Sequence, residues 1–403
     1  MSTELSQAEQ QTLDAAIDAF LAANDPKSMT NIEFRARRYD AGLSWVYFDK
    51  GFGGLGMSPK AQGHLERRLR LAGAAPADGA SFFLNLAGPT IYTHGTEEQK
   101  HRFLRPMFSG EEKWCQLFSE PGAGSDFAGL ACKAVRDGDE WVVNGQKVWN
   151  TLAHLGDWGM LVTRTDPDQV KHKGMTYFAV DMRSAGVDVR PLRQMTGEAE
   201  FNEVYLTDVR IPDSQRIGAI GEGWRVSLTT LMNERVSIGG GAGAVPKRGS
   251  GPIGEIVALW EAAPADRKSP VLRDRLTALW ASAECQRLTN IRASQARREG
   301  NPGPEGSISK LALAELNKAI YELGMDIMGA DGLVGFDYTF RRPDGLNDDT
   351  WGDPHQAFLR VRANSIEGGT SEILRNILGE QVLGLPGEPR VDKDLPWAKV
   401  PRN

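Results

Sequence analysis

Cysteine is scarce and badly spaced for chemistry: Cys115, Cys132 and Cys285 are the only three in 403 residues. They cannot all pair, and their intervals match no metal or redox motif, so they read as reduced thiols and no metal centre is expected. Long apolar runs are also missing; no stretch approaches the roughly 18 residues of a membrane span. Excess positive charge is lacking too. The net charge is −6 and no long basic run occurs, which disfavours a nucleic-acid or anionic-membrane surface. No internal repeat is found. The opening Met-Ser-Thr-Glu-Leu-Ser-Gln is polar and acidic rather than a secretory leader, so a cytoplasmic protein is the expectation.

What is present is an ordinary globular composition, 40% hydrophobic and 25% charged, in a chain long enough for two or three domains. Periodicity changes twice along it. Residues 1–113 read as a helical domain: Leu13, Ile17, Phe20 and Leu21 recur at helical spacing, and Ser6 stands three before Glu9 in capping-box register. Asp49-Lys50-Gly51-Phe52-Gly53-Gly54-Leu55-Gly56 is a glycine-rich break without the preceding apolar strand of a dinucleotide fingerprint, and reads as a loop packing beside the active site. Residues 114–222 hold short β-rich runs, at 141–145, 159–163, 175–180 and 203–206, punctuated by Gly, Asp, Pro and Asn; this predicts a mostly antiparallel β-domain. From 223 to 384 helical periodicity returns, with long helices expected over 272–299 and 307–329, and a last helix starting near His355 or Gln356. Residues 385–403 read as an extended, partly mobile tail. The fold class is therefore α+β: helical domain, β-domain, helical bundle.

Three motifs carry the chemistry. Ser119-Glu120-Pro121-Gly122-Ala123-Gly124-Ser125-Asp126 is a tight loop whose glycines free backbone N–H groups to face an anion, with hydroxyls on either side. Lys147-Val148-Trp149-Asn150-Thr151 places an indole and a hydroxyl at a strand end, and Gly368-Gly369-Thr370-Ser371-Glu372-Ile373-Leu374-Arg375-Asn376 lies near the C-terminus. In this order and spacing they resemble the acyl-CoA dehydrogenase flavoproteins, closely over the middle and C-terminal two-thirds of the chain.

That resemblance implies FAD as cofactor. Ser119 stands where the family has a hydroxyl on the pyrimidine edge of the flavin, Thr151 where a hydroxyl reaches N5, and Trp149 where an indole flanks the ring. Leu117 and Gly124 belong to the same flavin-edge segment, and Thr370 and Glu372 fall near the FAD diphosphate. Asp326 replaces a usual glutamine ahead of Gly329-Ala330-Asp331-Gly332, so Asp326 and Gly329 are candidates for the same cofactor. Ser125 matches the serine where pantetheine and pyrophosphate cross. Donors along such a ring edge stabilise an anionic reduced flavin.

The base is displaced. Many members carry it as the Glu of Tyr-Glu-Gly-Thr, but here Glu367-Gly368-Gly369-Thr370 puts Gly368 in that place, with Glu367 one residue early and turned off the required direction. A second family placement, in a Glu-Arg pair on the first helix of the C-terminal domain, matches Leu231-Met232-Asn233-Glu234-Arg235-Val236-Ser237-Ile238. Glu234 is thus the expected base, Arg235 the arginine near the CoA arm, and the Gly368 N–H a donor to the thioester carbonyl. Leu228, Leu231, Met232, Val236 and Ile238 are expected to shield the pair from water.

Gly239-Gly240-Gly241-Ala242-Gly243 is costly if helical, roughly 1 kcal/mol per glycine against alanine. It points to close helix packing or to space for a branched, cyclic or polycyclic acyl group. The family's Arg-x-x-Phe-Gly, which reaches FAD of a neighbouring subunit, is lacking from residues 246–270, and some divergent members without it work as two-gene heterotetramers. The reading is α,β-dehydrogenation of an acyl-CoA, with an electron-transfer flavoprotein as acceptor and a homo- or heterotetramer (or dimer) as the assembly. An oxidase or monooxygenase on the same fold, or a non-catalytic subunit of a heteromeric dehydrogenase, are the alternatives.

Overall fold

The computed structural model of the protein describes residues 5–75, 81–238, 247–298, 305–335, 339–345, 353–390 and 392–401. The glycine run 239–243 and the Gly300–Pro304 break lie outside the described residues, as do the side chains of Arg235, Val236 and Ile238.

The chain begins with helices α1 (Gln7–Ala23), α2 (Asn31–Asp40), α3 (Ala61–Leu71), α4 (Ser81–His94) and α5 (Glu97–Ser109). The Ser6–Glu9 capping box forms as the spacing predicts, with the Ser6 hydroxyl accepting from the Glu9 N–H at 3.2 Å and the Glu9 carboxylate accepting from the Ser6 N–H at 3.1 Å. Leu13, Ile17 and Phe20 pack on Phe34, Leu65 and Leu69 of α2 and α3. Each such buried side chain contributes about 1.5–3 kcal/mol. Helix α4 lies tight against the preceding segment because residue 88 is glycine: a Cβ there would stand 2.5 Å from the Trp45 ring.

An eight-stranded sheet follows. Its strands are β1 (Trp114–Leu117), β2 (Lys133–Asp137), β3 (Glu140–Lys147), β4 (Trp158–Arg164), β5 (Met175–Asp181), β6 (Val187–Pro191), β7 (Asn202–Pro212) and β8 (Arg216–Ile217). The path runs β6-β7-β3-β2-β4-β5-β8, with β1 on β4. Antiparallel ladders dominate; β1 pairs with β4 in parallel, and β2 meets β4 in parallel at one position. The sheet curls over itself, so Cys115, Leu117, Leu161 and Phe178 share a core with Trp141, Val143, Val204 and Ile211 of β3 and β7. On the other face, Trp114, Met160, Val162 and Tyr177 meet α4, α5 and Val226. Alternation along β1 therefore turns Gln116 to the helical side with Trp114. Burial pushes the Cys115 and Cys132 thiols up to about 12 and 11, which leaves them inert.

Helices α6 (Gly223–Ile238), α7 (Pro252–Ala262), α8 (Pro270–Arg298), α9 (Glu305–Met328), α10 (Pro354–Arg360) and α11 (Ser371–Ile377) complete the described chain. The long helices lie within two residues of their expected spans. Helix α7 was not singled out in the sequence, although Gly251 at φ 75° and Pro252 in its first turn mark its start. No described helix is long and apolar enough to cross a membrane, and no described group of three His, Cys, Asp or Glu could hold a metal ion.

One buried ion pair joins two of the motifs. Lys147 at the end of β3 is fully buried, and its ammonium donates to Glu120 at 2.8 Å and to the Phe118 carbonyl at 3.0 Å. The Glu120 carboxylate also accepts from the backbone N–H groups of Ala131 and Cys132, at 2.6 and 2.9 Å. Removing one partner of such a pair leaves a buried charge uncompensated, at about 3–5 kcal/mol. Lys147→Met is expected to lower unfolding free energy by about 3 kcal/mol, near the bottom of that range because two N–H donors remain on Glu120. Urea unfolding tests this, and a loss below about 1 kcal/mol, the level of an exposed pair, would show the pair to be dispensable.

Candidate functional site

The loop after β1 and the turn after β3 lie side by side. The Val148 N–H donates to the Ser119 carbonyl at 2.9 Å, and the Asn150 side-chain amide donates to the Gln116 carbonyl at 2.8 Å. Asn150 also exchanges backbone bonds with Asn202 at 3.0 and 3.1 Å, and the Leu152 N–H donates to the Glu200 carbonyl at 2.7 Å. These bonds hold two non-glycine residues in the left-handed region, Trp149 at φ 62° and Leu152 at φ 51°. Each such residue costs on the order of 1–3 kcal/mol, and persists only where its surroundings over-determine it. The turn presents an indole to solvent: Trp149 is 59% exposed, with only Phe201 edge-on to it among described aromatics. The outward-facing tryptophan offers a flat apolar face to solvent. The half-exposed hydroxyls of Ser119 and Thr151 have no hydrogen-bond partner among the described residues. Leu117 is buried beneath them; Gly124 and Ser125 are exposed, and a Cβ on Gly122 or Gly124 would meet nothing within 4 Å. An exposed aromatic face, two uncommitted hydroxyls and open backbone amides in a glycine loop fit a flavin edge and its phosphates.

Glu234 approaches this wall from α6. The Gln116 side-chain amide donates to Glu234 Oε2 at 3.3 Å, so one residue of β1 touches both the wall, through its carbonyl, and the carboxylate, through its amide. Gln116 escaped sequence reasoning; the signal was a polar residue inside the apolar run Trp114–Phe118. The face of α6 that carries Glu234 also carries Thr230, buried and bonded to Thr90 and Tyr177, and Leu231, packed on the core. The expected shielding by Leu228 and Met232 is not observed: they are 40% and 65% exposed. At 3.6 residues per turn they fall on other sides of the helix, and β1 and α4 cover the Glu234 side instead.

A glycine turn closes the third side. Gly368 and Gly369 adopt φ 60° and 95°, conformations that glycine alone reaches cheaply. Lys310 of α9 is buried beneath them and donates to the Gly369 carbonyl at 2.5 Å and to the Asn364 carbonyl at 2.7 Å. Burial pushes its ammonium below the usual lysine range, opposed by the nearby charges of Glu367, Glu234, Glu315 and Glu372. Glu367 is committed elsewhere: Arg360 grips both its oxygens at 3.1 and 3.2 Å, and Asn364 donates to it at 2.8 Å. Arg360 also pairs with the buried Glu200 at 3.2 Å, whose carboxyl is held above its ordinary range by burial.

The remaining candidates are dispersed. Thr370 caps α11, its hydroxyl accepting from the Ile373 N–H at 3.2 Å, and Glu372 on that helix is exposed and pairs with Arg375. Asp326 pairs with Arg275 at 2.7 Å on the outside of the α8–α9 pair, and Gly329 takes φ 59° just after α9. Arg235 follows Glu234 on α6.

Comparisons with known proteins agree with the order of the three layers. Family models match in sequence: acyl-CoA dehydrogenase N-terminal domain over residues 4–111, middle domain over 115–209 and C-terminal domain over 221–383. The chain is 38% identical to the acyl-CoA dehydrogenase IpdE1 of Mycobacterium tuberculosis over 350 residues, covering 87% of this chain and 86% of that protein. It is 39% identical to FadE34 of the same organism, covering 86% of this chain but only 45% of FadE34. Among solved structures, the Tcur3481-Tcur3483 steroid ACAD superposes with a TM-score of 0.68 at 25% identity, over 96% of this chain and 100% of the other. The ChsE4-ChsE5 complex from Mycobacterium tuberculosis gives 0.68 at 27% identity, with the same coverage. Sequence and layer order agree: this chain is a member of the acyl-CoA dehydrogenase family, a family of flavin-dependent oxidoreductases.

Proposed function

We propose that the protein introduces the α,β double bond into a CoA thioester bearing a bulky, steroid-derived acyl group, using FAD. The observation that carries this reading is the Gln116 bridge, which brings the Glu234 carboxylate to the strand supporting Trp149, Asn150 and Thr151. Glu234 takes the α-proton of the thioester. The Gly368 N–H, aimed by the turn that Lys310 pins, donates to the thioester carbonyl and stabilises the charge that develops there. The Lys310 ammonium lies within electrostatic reach of Glu234. Bound FAD would supply the two-electron oxidising chemistry needed at Cβ. Ser119, Leu117, Gly124, Trp149 and Thr151 hold its ring and adjoining phosphates; Thr370, Glu372, Asp326 and Gly329 serve its more distant parts. Ser125 and Arg235 meet the CoA arm. The clamped state of Glu367 supports Glu234 rather than Glu367 as base.

Two observations support the substrate class: Gly368 adds no side chain where many relatives carry a glutamate, and a similar structure of 25% identity is described as a steroid ACAD. The pairing of two named chains in that structure and in the ChsE4-ChsE5 complex supports a second dehydrogenase-like chain as partner. An electron-transfer flavoprotein receives the electrons.

The purified protein is expected to show a visible flavin spectrum that bleaches on anaerobic addition of acyl-CoA, fastest with a steroid side-chain thioester. Faster bleaching by short straight chains would refute the substrate class, and a protein that stays colourless with FAD supplied would refute the cofactor assignment. Glu234→Gln should keep the spectrum and slow bleaching by about 10²–10⁴-fold, the usual contribution of a general base. Glu367→Gln should slow it far less; the opposite ranking in stopped-flow traces would move the base to Glu367.

A further inference from the structure

The family match of the C-terminal domain ends at residue 383, yet the chain continues and returns to the β-domain. Residues 385–390 are exposed, whereas Asp392 and residues 395–397 are half-buried against the loops that precede β5. The Trp397 N–H donates to the Gln169 carbonyl at 2.8 Å and the Ala398 N–H to the Pro167 carbonyl at 2.9 Å, beside a bridge between Val170 and Pro396. The Trp397 indole N–H donates to the Gly129 carbonyl at 3.1 Å, and its ring lies 4.9 Å from the Arg164 guanidinium. Arg164, itself buried, donates to the carbonyls of Ala128 and Lys171, both at 2.6 Å. The Lys171 ammonium then binds two carboxylates: Asp126 at 2.9 and 3.1 Å, and Asp392 of the tail at 2.6 Å.

The two backbone bonds dock the tail on the loop before β5, and the side-chain bonds of Trp397, Arg164 and Lys171 lead on to one half of the glycine loop. Its first half is held by Glu120 on Lys147. Its middle, Gly122 to Asp126, is mostly exposed, and its glycines have nothing beside them. Its second half, Asp126 to Gly129, reaches the tail directly through Gly129 and indirectly through Lys171 and Arg164. A loop of exposed glycines has high conformational entropy when free, so its binding shape depends on what fixes both ends.

We propose that the C-terminal segment 392–401 is part of the acyl-CoA site, with Trp397 and Asp392 as positioning residues that hold the Ser125–Gly129 loop in its CoA-binding shape. The placement of Ser125 on the CoA arm rests on the functional reading above; the anchoring of the loop does not. The segment lies outside all three matched family regions.

The test uses the full-length holoprotein with Trp397→Ala, Trp397→Phe and Asp392→Asn. Three readouts are needed: calorimetric titration with CoA, the KM-against-kcat split, and amide hydrogen exchange over residues 122–130 without ligand. Trp397→Ala should weaken CoA binding and raise KM by about tenfold, as expected for a lost hydrogen bond and stacking contact, with kcat within about twofold. Exchange over 122–130 should quicken while the thermal midpoint stays close to wild type. Trp397→Phe, which keeps the ring but not the donor, should recover part of the affinity, and Asp392→Asn should share the exchange phenotype. Unchanged exchange and CoA affinity in Trp397→Ala would overturn the proposal, as would a parallel fall in kcat and thermal midpoint, the mark of a merely stabilising contact. Faster exchange with unchanged CoA affinity would overturn the role in binding. CoA affinity and exchange are read without turnover, so they decide the matter even in a protein that oxidised no thioester, and the two failures stay distinct.

Discussion

The Lys147–Glu120 pair is the constraint on which the rest of the site depends. A lysine with no exposed surface is tolerable only where its charge is matched and its hydrogens are used, and here a carboxylate and a carbonyl do both. Because Lys147 ends β3 and Glu120 opens the glycine loop, the pair fixes the distance between the two motifs. Everything downstream inherits that geometry: the strained Trp149 turn, the Ser119 carbonyl under Val148, and the loop that carries Ser125.

From that fixed wall the site is assembled by hydrogen bonds between elements rather than within them. Gln116 reaches α6, Asn150 reaches back to β1 and across to β7, and Lys310 reaches from α9 to the glycine turn. Arg360 occupies Glu367 and Glu200 together, so both carboxylates are already paired. The electrostatic character of the pocket is thus set by which acids are already paired. The buried Lys310 behind the Gly368 turn adds a positive charge on that side of the site.

Much of the fold was legible because its signals are local. The Ser6–Glu9 capping box, the punctuated strands between 141 and 206 and the two long helices each follow from residues close together in sequence, where spacing alone decides the outcome. The environment of Glu234 was read less well. A list of apolar neighbours suggested shielding by Leu228 and Met232, but helical geometry turns both toward solvent, and what lies against this side of α6 is α4 and, through Gln116, β1, far away in sequence. Gln116 was invisible for a related reason: nothing in a single strand says which of its side chains will meet a distant helix. Helix α7 passed unnoticed because it is short, although its Gly-Pro start was in plain view.

The sequence by itself determined the order of layers, the family and the residue types in the three motifs, since periodicity and motif chemistry act over a few positions. Only the tertiary structure decided which charges are paired. Lys147, Lys310 and Arg360 look alike as isolated cations in a sequence; packing makes one a tie between motifs, one a pin under a turn and one a clamp on two acids. The same holds for the tail, whose composition reads as an extended end and whose Asp392 and Trp397 bond to Lys171 and Gly129, 221 and 268 residues upstream. Such pairings depend on which surfaces meet, and burial, by removing water, makes each of them strong.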